Sequence, residues 1–255
     1  PKLFRQIDRQ ERFDAVVIAG DPAEYRPLIA HLVKTGDWTL EWVDAWGLVY
    51  RRQREETLTM DRIWSATKQW EKESAAVQAR LCAVMSIRLT SARRLDASKE
   101  VLDAAFKKSG NVAEVWAAKG LYHLEKLEPL LAVDAAEKAL KIQSNHLVAK
   151  GILAKGLFDL RQYEKAYNYS SELLESFKDD PGMLFNHAKI AHVVHAYQEE
   201  IEVLKKLIAL VEKQERSTGV YRSYLAQAYR LIGRGREAVE QFELALTDPE
   251  LTSEQ

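Results

Sequence analysis

The sequence predicts a mainly α fold, a solenoid of about five helix pairs preceded by a small α/β unit with the order strand, helix, strand, strand. Three observations carry this. From residue 55 onward apolar residues recur every three or four positions and no strand signal returns. Small residues recur at a fixed interval, with Ala132 and Ala166 lying 34 positions apart. Ahead of the helical part, the β-branched run 13–19 and an aromatic hairpin pattern over 38–52 read as strands.

Composition narrows the function. With 255 residues and 47% hydrophobic content, the chain can bury a sizeable core without staples. Its one cysteine, Cys82, excludes an internal disulfide, which suits a reducing compartment and equally the many exported proteins that lack disulfides. The localisation therefore stays open between cytoplasmic and extramembrane, the periplasm included. Lys and Arg (37) balance Asp and Glu (38), so no global field draws the chain to nucleic acid, and none is expected as a partner. No apolar run reaches the ~18 residues of a membrane span. Because the chain opens on Pro1, it is expected to be a piece of something longer, with a membrane involved only through that parent chain.

In order along the chain, residues 1–12 are highly charged and read as a short helix or lead-in. The strand at 13–19 stops at Gly20-Asp21-Pro22, a strand end followed by a helix start. Residues 23–34 carry Tyr25, Leu28, Ile29, Leu32 and Val33 at helical spacing, with Pro27 as a kink or a shifted start and Gly36 as the stop. Strands at 38–43 and 48–52 flank Asp44-Ala45-Trp46-Gly47 as a hairpin. Trp38, Trp42 and Trp46 share parity and are expected to pack on the helix at 23–34. The expected boundaries are an α/β unit at 1–54, a bridging or capping helix at 55–77 centred on Leu58, Ile63, Trp64 and Trp70, and helical repeats at 78–252.

The repeats vary in clarity. The first pair places Leu81, Val84 and Met85 on one helix and Ala97, Val101 and Ala104 on the next. The second has Trp116, Gly120, Ala132, Ala136 and Ala139, and the third Leu153, Ala154 and Ala166. The fourth departs: Ala188 and Ala191 are followed by Ile201, Leu204 and Ile208, and the step from Ala166 to Ala238 exceeds two periods by four residues, an insertion or a longer helix. The fifth is the most complete, with Leu225, Ala226 and Tyr229, a break at Gly233, then Ala238, Phe242 and Ala245. Here the chain resembles the tetratricopeptide repeat (TPR), whose first helix carries Leu-Gly/Ala-x-x-Tyr and whose second carries Ala-x-x-x-Phe-x-x-Ala before a Pro, here Pro249 and one place early. His123 stands where the family usually has Tyr. The resemblance implies a noncatalytic scaffold that binds a peptide or protein in a concave groove.

From the repeat register, the groove is expected to be lined by Gly151, Lys155, Phe158 and Asp159, by Phe185, Lys189 and His192, and by Ser223, Gln227 and Arg230. Chaperone-binding members of the family grip an acidic C-terminus with a clamp of Lys and Asn. Ala117, Gly151 and Ser223 stand at the clamp's central places, so such peptides are not expected to bind. On the last helix, Val239 and Leu246 face away from the packed side, and a weak homodimer through that face is expected.

Other chemistry is thin. His187, His192 and His195 cluster, with His192 and His195 at i, i+3, but nothing nearby completes a metal-ligand set, so they are read as surface or groove histidines. Cys82 has no basic neighbour in sequence that would make it a nucleophile, and it is read as a buried thiol. One glycine, Gly20, in the first strand-to-helix turn falls short of a dinucleotide fingerprint. Arg51, Arg52 and Arg54, like Arg88, Arg93 and Arg94, are read as solvated basic faces. No cofactor or metal is expected. The pattern DAVV followed by W-x-L-E-W-V-D and V-Y-R-R in 14–52 also resembles the soluble segment that ends bacterial membrane glycosyltransferases of the polyprenyl-phosphate-sugar class, with Trp42 where that pattern has Tyr. It implies an extramembrane appendage to which no active-site residue carries over. An enzyme with its site in the α/β unit is the third class considered.

Overall fold

The computed structural model of the chain describes residues 4, 7–8, 13–20, 25–35, 37–52, 58–214 and 216–248. The chain forms two compact units, Pro1–Ala149 and Lys150–Gln255.

The first unit opens with an antiparallel sheet in which β3 (Gly47–Arg52) lies between β1 (Ala15–Ala19) and β2 (Trp38–Val43). The helix α1 (Arg26–Thr35) packs against β2. Pro27 is its second residue, so it sets the start of the helix and does not kink it. The expected turn at Asp21-Pro22, the lead-in at 1–12 (apart from Phe4, Ile7 and Asp8) and the stop at Gly36 lie outside the described residues. In the hairpin, the Asp44 carboxylate accepts from the Trp46 and Gly47 amides at 2.7 and 2.9 Å. A side chain at Gly47 would meet the Ile18 carbonyl oxygen at 2.9 Å, so this residue has to be glycine.

The shared parity of the tryptophans does not survive in the structure. Leu40 pairs with Tyr50 and Trp42 with Val49, so Glu41 is an extra residue that reverses the alternation along β2. Trp38, Leu40 and Val43 are buried as a result, Trp42 is half-buried, and Trp46 is 69% exposed at the hairpin tip.

The helix expected within 55–77 is shorter. The helix α2 (Met60–Thr67) is capped by the Thr59 hydroxyl, which accepts from the Arg62 amide at 3.4 Å, and it tightens into a 3-10 turn at Lys68–Trp70. Residues 55–57 lie outside the described residues. Helix pairs follow: α3 (Ala75–Ser91) with α4 (Leu95–Lys108), and α5 (Ala113–Glu125) with α6 (Pro129–Ile142). One hydrophobic core runs from Ile18, Leu40, Leu48 and Tyr50 of the sheet through Ile63 to Cys82, Met85 and Leu89 of α3 and Val115 of α5. Arg88 of α3, only 6% exposed, donates to the Gly20 carbonyl at 2.7 Å and to the Ala45 carbonyl at 3.2 and 3.3 Å. Arg94 likewise reaches the Leu58 carbonyl at 3.0 Å. These two arginines are struts between the sheet side and the helices, a correction to their reading as a solvated basic face. The partners of Arg51, Arg52 and Arg93 are Glu41, Asp8 and Glu125.

The helix α7 (Leu147–Asp159) enters the second unit, which continues with α8 (Tyr163–Ser176), α9 (Pro181–Val193), α10 (Tyr197–Glu212), α11 (Gly219–Leu231) and α12 (Gly235–Leu246). Its core gathers Leu184, Ala188, Ile201, Leu204, Leu207, Leu225, Ala228 and Tyr229. The extra residues of the fourth repeat are now located. The helix α10 has 16 residues against 14 in α4, α6 and α8. It is followed by a connection at 213–218, where earlier pairs use 143–146 and 177–180. Both the helix and the connection are longer.

A backbone feature shows the period more sharply than the alanines do. Arg93, Leu127, Arg161 and His195, spaced 34 residues apart, are the non-glycine residues with positive φ among those described, at 59 to 63°, and Gly233 follows at 78°. Each closes the turn within a helix pair. The next amide donates to the carbonyl five residues back, as in Arg94 to Leu89, Glu128 to His123, Gln162 to Leu157, Ala196 to Ala191 and Arg234 to Tyr229, at 2.8 to 2.9 Å. A side chain in this conformation costs roughly 1 kcal/mol relative to glycine. Leu127 is 86% exposed and loses no packing on removal. Leu127→Gly should therefore stabilise the chain by about 1 kcal/mol, read as a higher urea midpoint at unchanged slope. A lower midpoint would show that the turn is not strained.

Candidate functional site

The residues expected to line a groove all lie in the second unit, on α7, α9 and α11. On α7, Lys155 and Asp159 form an i, i+4 ion pair at 2.5 Å, and Phe158 meets the edge of Tyr163 with ring centroids 5.5 Å apart. On α9, Phe185 is half-buried, and the rings of Tyr221 and Tyr224 from α11 stand edge-on to it at 5.0 and 5.2 Å. The Lys189 ammonium lies 4.9 Å from the Phe185 ring centroid. Burial pushes the Lys189 pKa below the usual lysine value, the charge of Lys155 adds to this, and Asp159 pulls the other way. Lys155, Asp159, Phe185 and Lys189 thus act on one another, and Tyr221 and Tyr224 join them. Gln227 is half-buried and Arg230 exposed on α11, without a hydrogen bond or ion pair to the others among the described residues. Gly151 is half-buried, and the Ser223 hydroxyl donates to the Gly219 carbonyl of its own helix at 3.0 Å.

The histidines separate into different roles. His195 falls outside α9, in the left-handed turn, so it shares no helix face with His192. Its Nδ1 is 2.5 Å from the Tyr197 hydroxyl. His187 is not a surface residue: it is 1% exposed, with Nδ1 2.9 Å from the Ser170 hydroxyl and Nε2 2.9 Å from a Glu199 oxygen. Tyr167 donates its hydroxyl to the other Glu199 oxygen. Burial pushes the Glu199 carboxyl up, but the hydrogen bonds from Tyr167 and His187 outweigh it and hold the group below the usual carboxylate value. Serine, histidine and acid are linked here as in a catalytic triad. However, Ser170 is 6% exposed, and its hydroxyl also donates to the Tyr167 carbonyl at 2.9 Å, which turns its proton toward the backbone. The repeat register gives the origin of the relay: Ser170 occupies the place of Phe242, and His187 that of Leu153 and Leu225.

The remaining pair was not seen in the sequence. Glu200 lies 34 residues after Ala166, at the small-residue place of the second helix, and is fully buried. Both its oxygens are 3.1 Å from Nδ1 of His192, which is part-exposed on α9. Burial pushes the Glu200 pKa up and His192 pulls it part-way back. The sequence did hold a signal, a charge at an alanine register position.

Among the described residues, no group of three or more histidine, cysteine or acidic side chains is placed to hold a metal ion. Cys82 is buried, and burial pushes its thiol pKa up, against the opposing pull of Lys108. No described helix is long and apolar enough to cross a membrane. Val239 and Leu246 are 57% and 71% exposed on α12.

Neither a protein-family model nor a curated protein matches the sequence. Solved structures do. YrrB, described as a TPR protein with an unusual peptide-binding site, matches with a TM-score of 0.59 and 18% identity over 71% of this chain and 90% of its own. MamA from Desulfovibrio magneticus RS-1 matches with a TM-score of 0.58 and 19% identity over 69% and 96%. A further crystal structure of MamA gives 0.57 and 16% over 67% and 98%. The chain therefore has a TPR fold, with a small three-stranded antiparallel sheet ahead of it.

The buried carboxylate leads to a pH dependence. A carboxyl whose pKa is raised on folding binds protons more tightly in the folded state, so its contribution to stability is present at low pH and lost as pH rises through the raised value. Glu200→Gln removes this loss. In urea titrations across pH, the variant should gain on the parent chain as pH increases, and a gap that stays flat with pH would refute the assignment.

Proposed function

We propose that the chain is a noncatalytic interaction scaffold that holds a peptide or protein segment against α7, α9 and α11 of its second unit, using Lys155, Phe158, Asp159, Phe185, Lys189, His192, Gln227 and Arg230. The observation that carries the reading is the convergence of Lys155, Asp159, Phe185 and Lys189 with Tyr221 and Tyr224 on consecutive first helices of the repeats. Aromatic faces beside charged groups suit an extended segment, which offers alternating side chains and a backbone. The TPR fold shared with a protein described as having a peptide-binding site supports it. The reading as a glycosyltransferase appendage rests on the resemblance in 14–52 alone.

Selection from a displayed random-peptide library tests this. Enriched peptides should lose about tenfold or more in affinity for a Phe158→Ser, Phe185→Ser double variant. Because Gly151 and a self-satisfied Ser223 leave no convergent clamp, peptides ending in a free acid should bind no better than their amides. Binding indifferent to the double variant would move the site elsewhere.

For the domain organisation, we propose that residues 1–54 form an α/β unit that depends on the repeats for its stability, with 55–77 as the bridge and 78–252 as the repeat region. The undivided core and the Arg88 strut support it. Residues 1–54 expressed alone should show no cooperative thermal transition, whereas a sharp one would contradict the dependence.

A further inference from the structure

The proposed groove contains a cation that its neighbours attract but do not neutralise. Lys189 is half-buried, and its ammonium lies over the face of Phe185, with Nζ 4.9 Å from the centroid. A ring face draws in the charge but provides no hydrogen-bond acceptor, and an ammonium has three donors. Lys155 adds positive potential close by, and Asp159 is already engaged as its ion-pair partner. Among the described residues no carboxylate pairs with Lys189.

His192 stands one turn further along α9, and its orientation is costly to maintain. A carboxylate enclosed at a place built for alanine is a large desolvation penalty, and its evident return is the pair of 3.1 Å contacts to His192 Nδ1. The ionised Glu200 only accepts, so in this pairing Nδ1 carries the hydrogen and Nε2 is not used by Glu200. Lys189 and His192 lie on one stripe of the helix by their spacing.

We propose that the face of α7, α9 and α11 recognises an extended peptide through one internal acidic side chain, whose carboxylate pairs with Lys189 while an adjacent apolar side chain of the peptide packs on Phe158. This rests on the scaffold reading above and adds the chemistry of the partner. Charge complementarity selects the occupant: Lys155, Lys189 and Arg230 outweigh Asp159 on this face. A single unpaired ammonium matches one carboxylate. A nucleic-acid strand would call for basic groups repeated along its backbone. A chain terminus would call for several converging donors, and Ser223 has spent its hydroxyl on Gly219.

The test titrates the full chain, by fluorescence anisotropy, with short labelled peptides that are amidated at the C-terminus, have randomised flanks and carry a fixed central Glu, Gln or Lys. Glu-centred peptides should bind about tenfold more tightly than their Gln counterparts. Lys189→Gln should abolish that difference and Lys189→Arg restore most of it, with circular dichroism unchanged in both. Peptides that bind with no preference for Glu and no response to Lys189→Gln overturn the inference and leave the scaffold reading intact. Failure of every peptide to bind overturns both. A labelled single-stranded oligothymidylate that binds more tightly than the peptides and is lost in Lys189→Gln would also overturn it, in favour of nucleic acid.

Discussion

The helical part of this chain is governed by one close approach, where the second helix of each pair lies against the first. The position that makes it is occupied in turn by Ser98, Ala132, Ala166, Glu200 and Ala238, all at 4% exposure or less. Opposite stand Ser86, Gly120, Ala154, Ala188 and Ala226. Backbones this near leave no room for branched side chains, so the packing energy comes from the larger residues that flank the contact. The left-handed turn residue fixes the angle at which the second helix returns, and the amide bond after it secures the end of the first. When the contact is made by polar atoms they are matched: Ser86 and Ser98 lie 2.9 Å apart, and Thr90 reaches Ser98 at 2.7 Å.

This constraint makes the fourth repeat unusual. Where its relatives in the same chain place leucine, phenylalanine and alanine, the junction of α8, α9 and α10 places His187, Ser170 and Glu200. A polar set in place of an apolar one gives up burial free energy, and hydrogen bonding recovers only part of it. It does select a single arrangement, since each group has a specific partner and a shifted helix would leave several unsatisfied. The aromatic and basic side chains facing the proposed groove stand on α9 and on the helices to either side, so the rigidity lies beneath the candidate site.

The sequence made the fold class and most of the packing legible because alanine, leucine and aromatic residues fall at a helical period and again at 34 residues. It did not reveal the turns. Arg93, Leu127, Arg161 and His195 carry no glycine signal, and only Gly233 announces the conformation that all five adopt. In the first pair, reading Ala97 as the framework residue placed the register one position early, since Ser98 is the residue 34 before Ala132. The tryptophans misled for a different reason: parity counts assume an unbroken strand, and Glu41 breaks it ahead of Trp42, while Trp46 lies past the end of β2 at the hairpin tip. The residues of α7 and α9 proposed for the candidate site come from register alone. Tyr221 and Tyr224, which hold Phe185, were missed because they face the preceding repeat and fall outside the lining positions. Glu200 follows the histidine cluster in sequence, and only its burial and its contacts show which histidine it serves.

The strut between the sheet and the helices is formed with backbone atoms. Arg88 grips the carbonyl oxygens of Gly20 and Ala45, and those oxygens are present whatever side chains the two residues carry. The joint is thus written on one side only. Position 88 must keep a long, forked cation, while the loops it holds, apart from Gly20 with its φ of 92°, can drift in sequence over evolutionary time, so long as their backbones still offer the same two carbonyls. An N-terminal unit attached in this way can diverge until no family resemblance remains, while its attachment to the repeats stays the same.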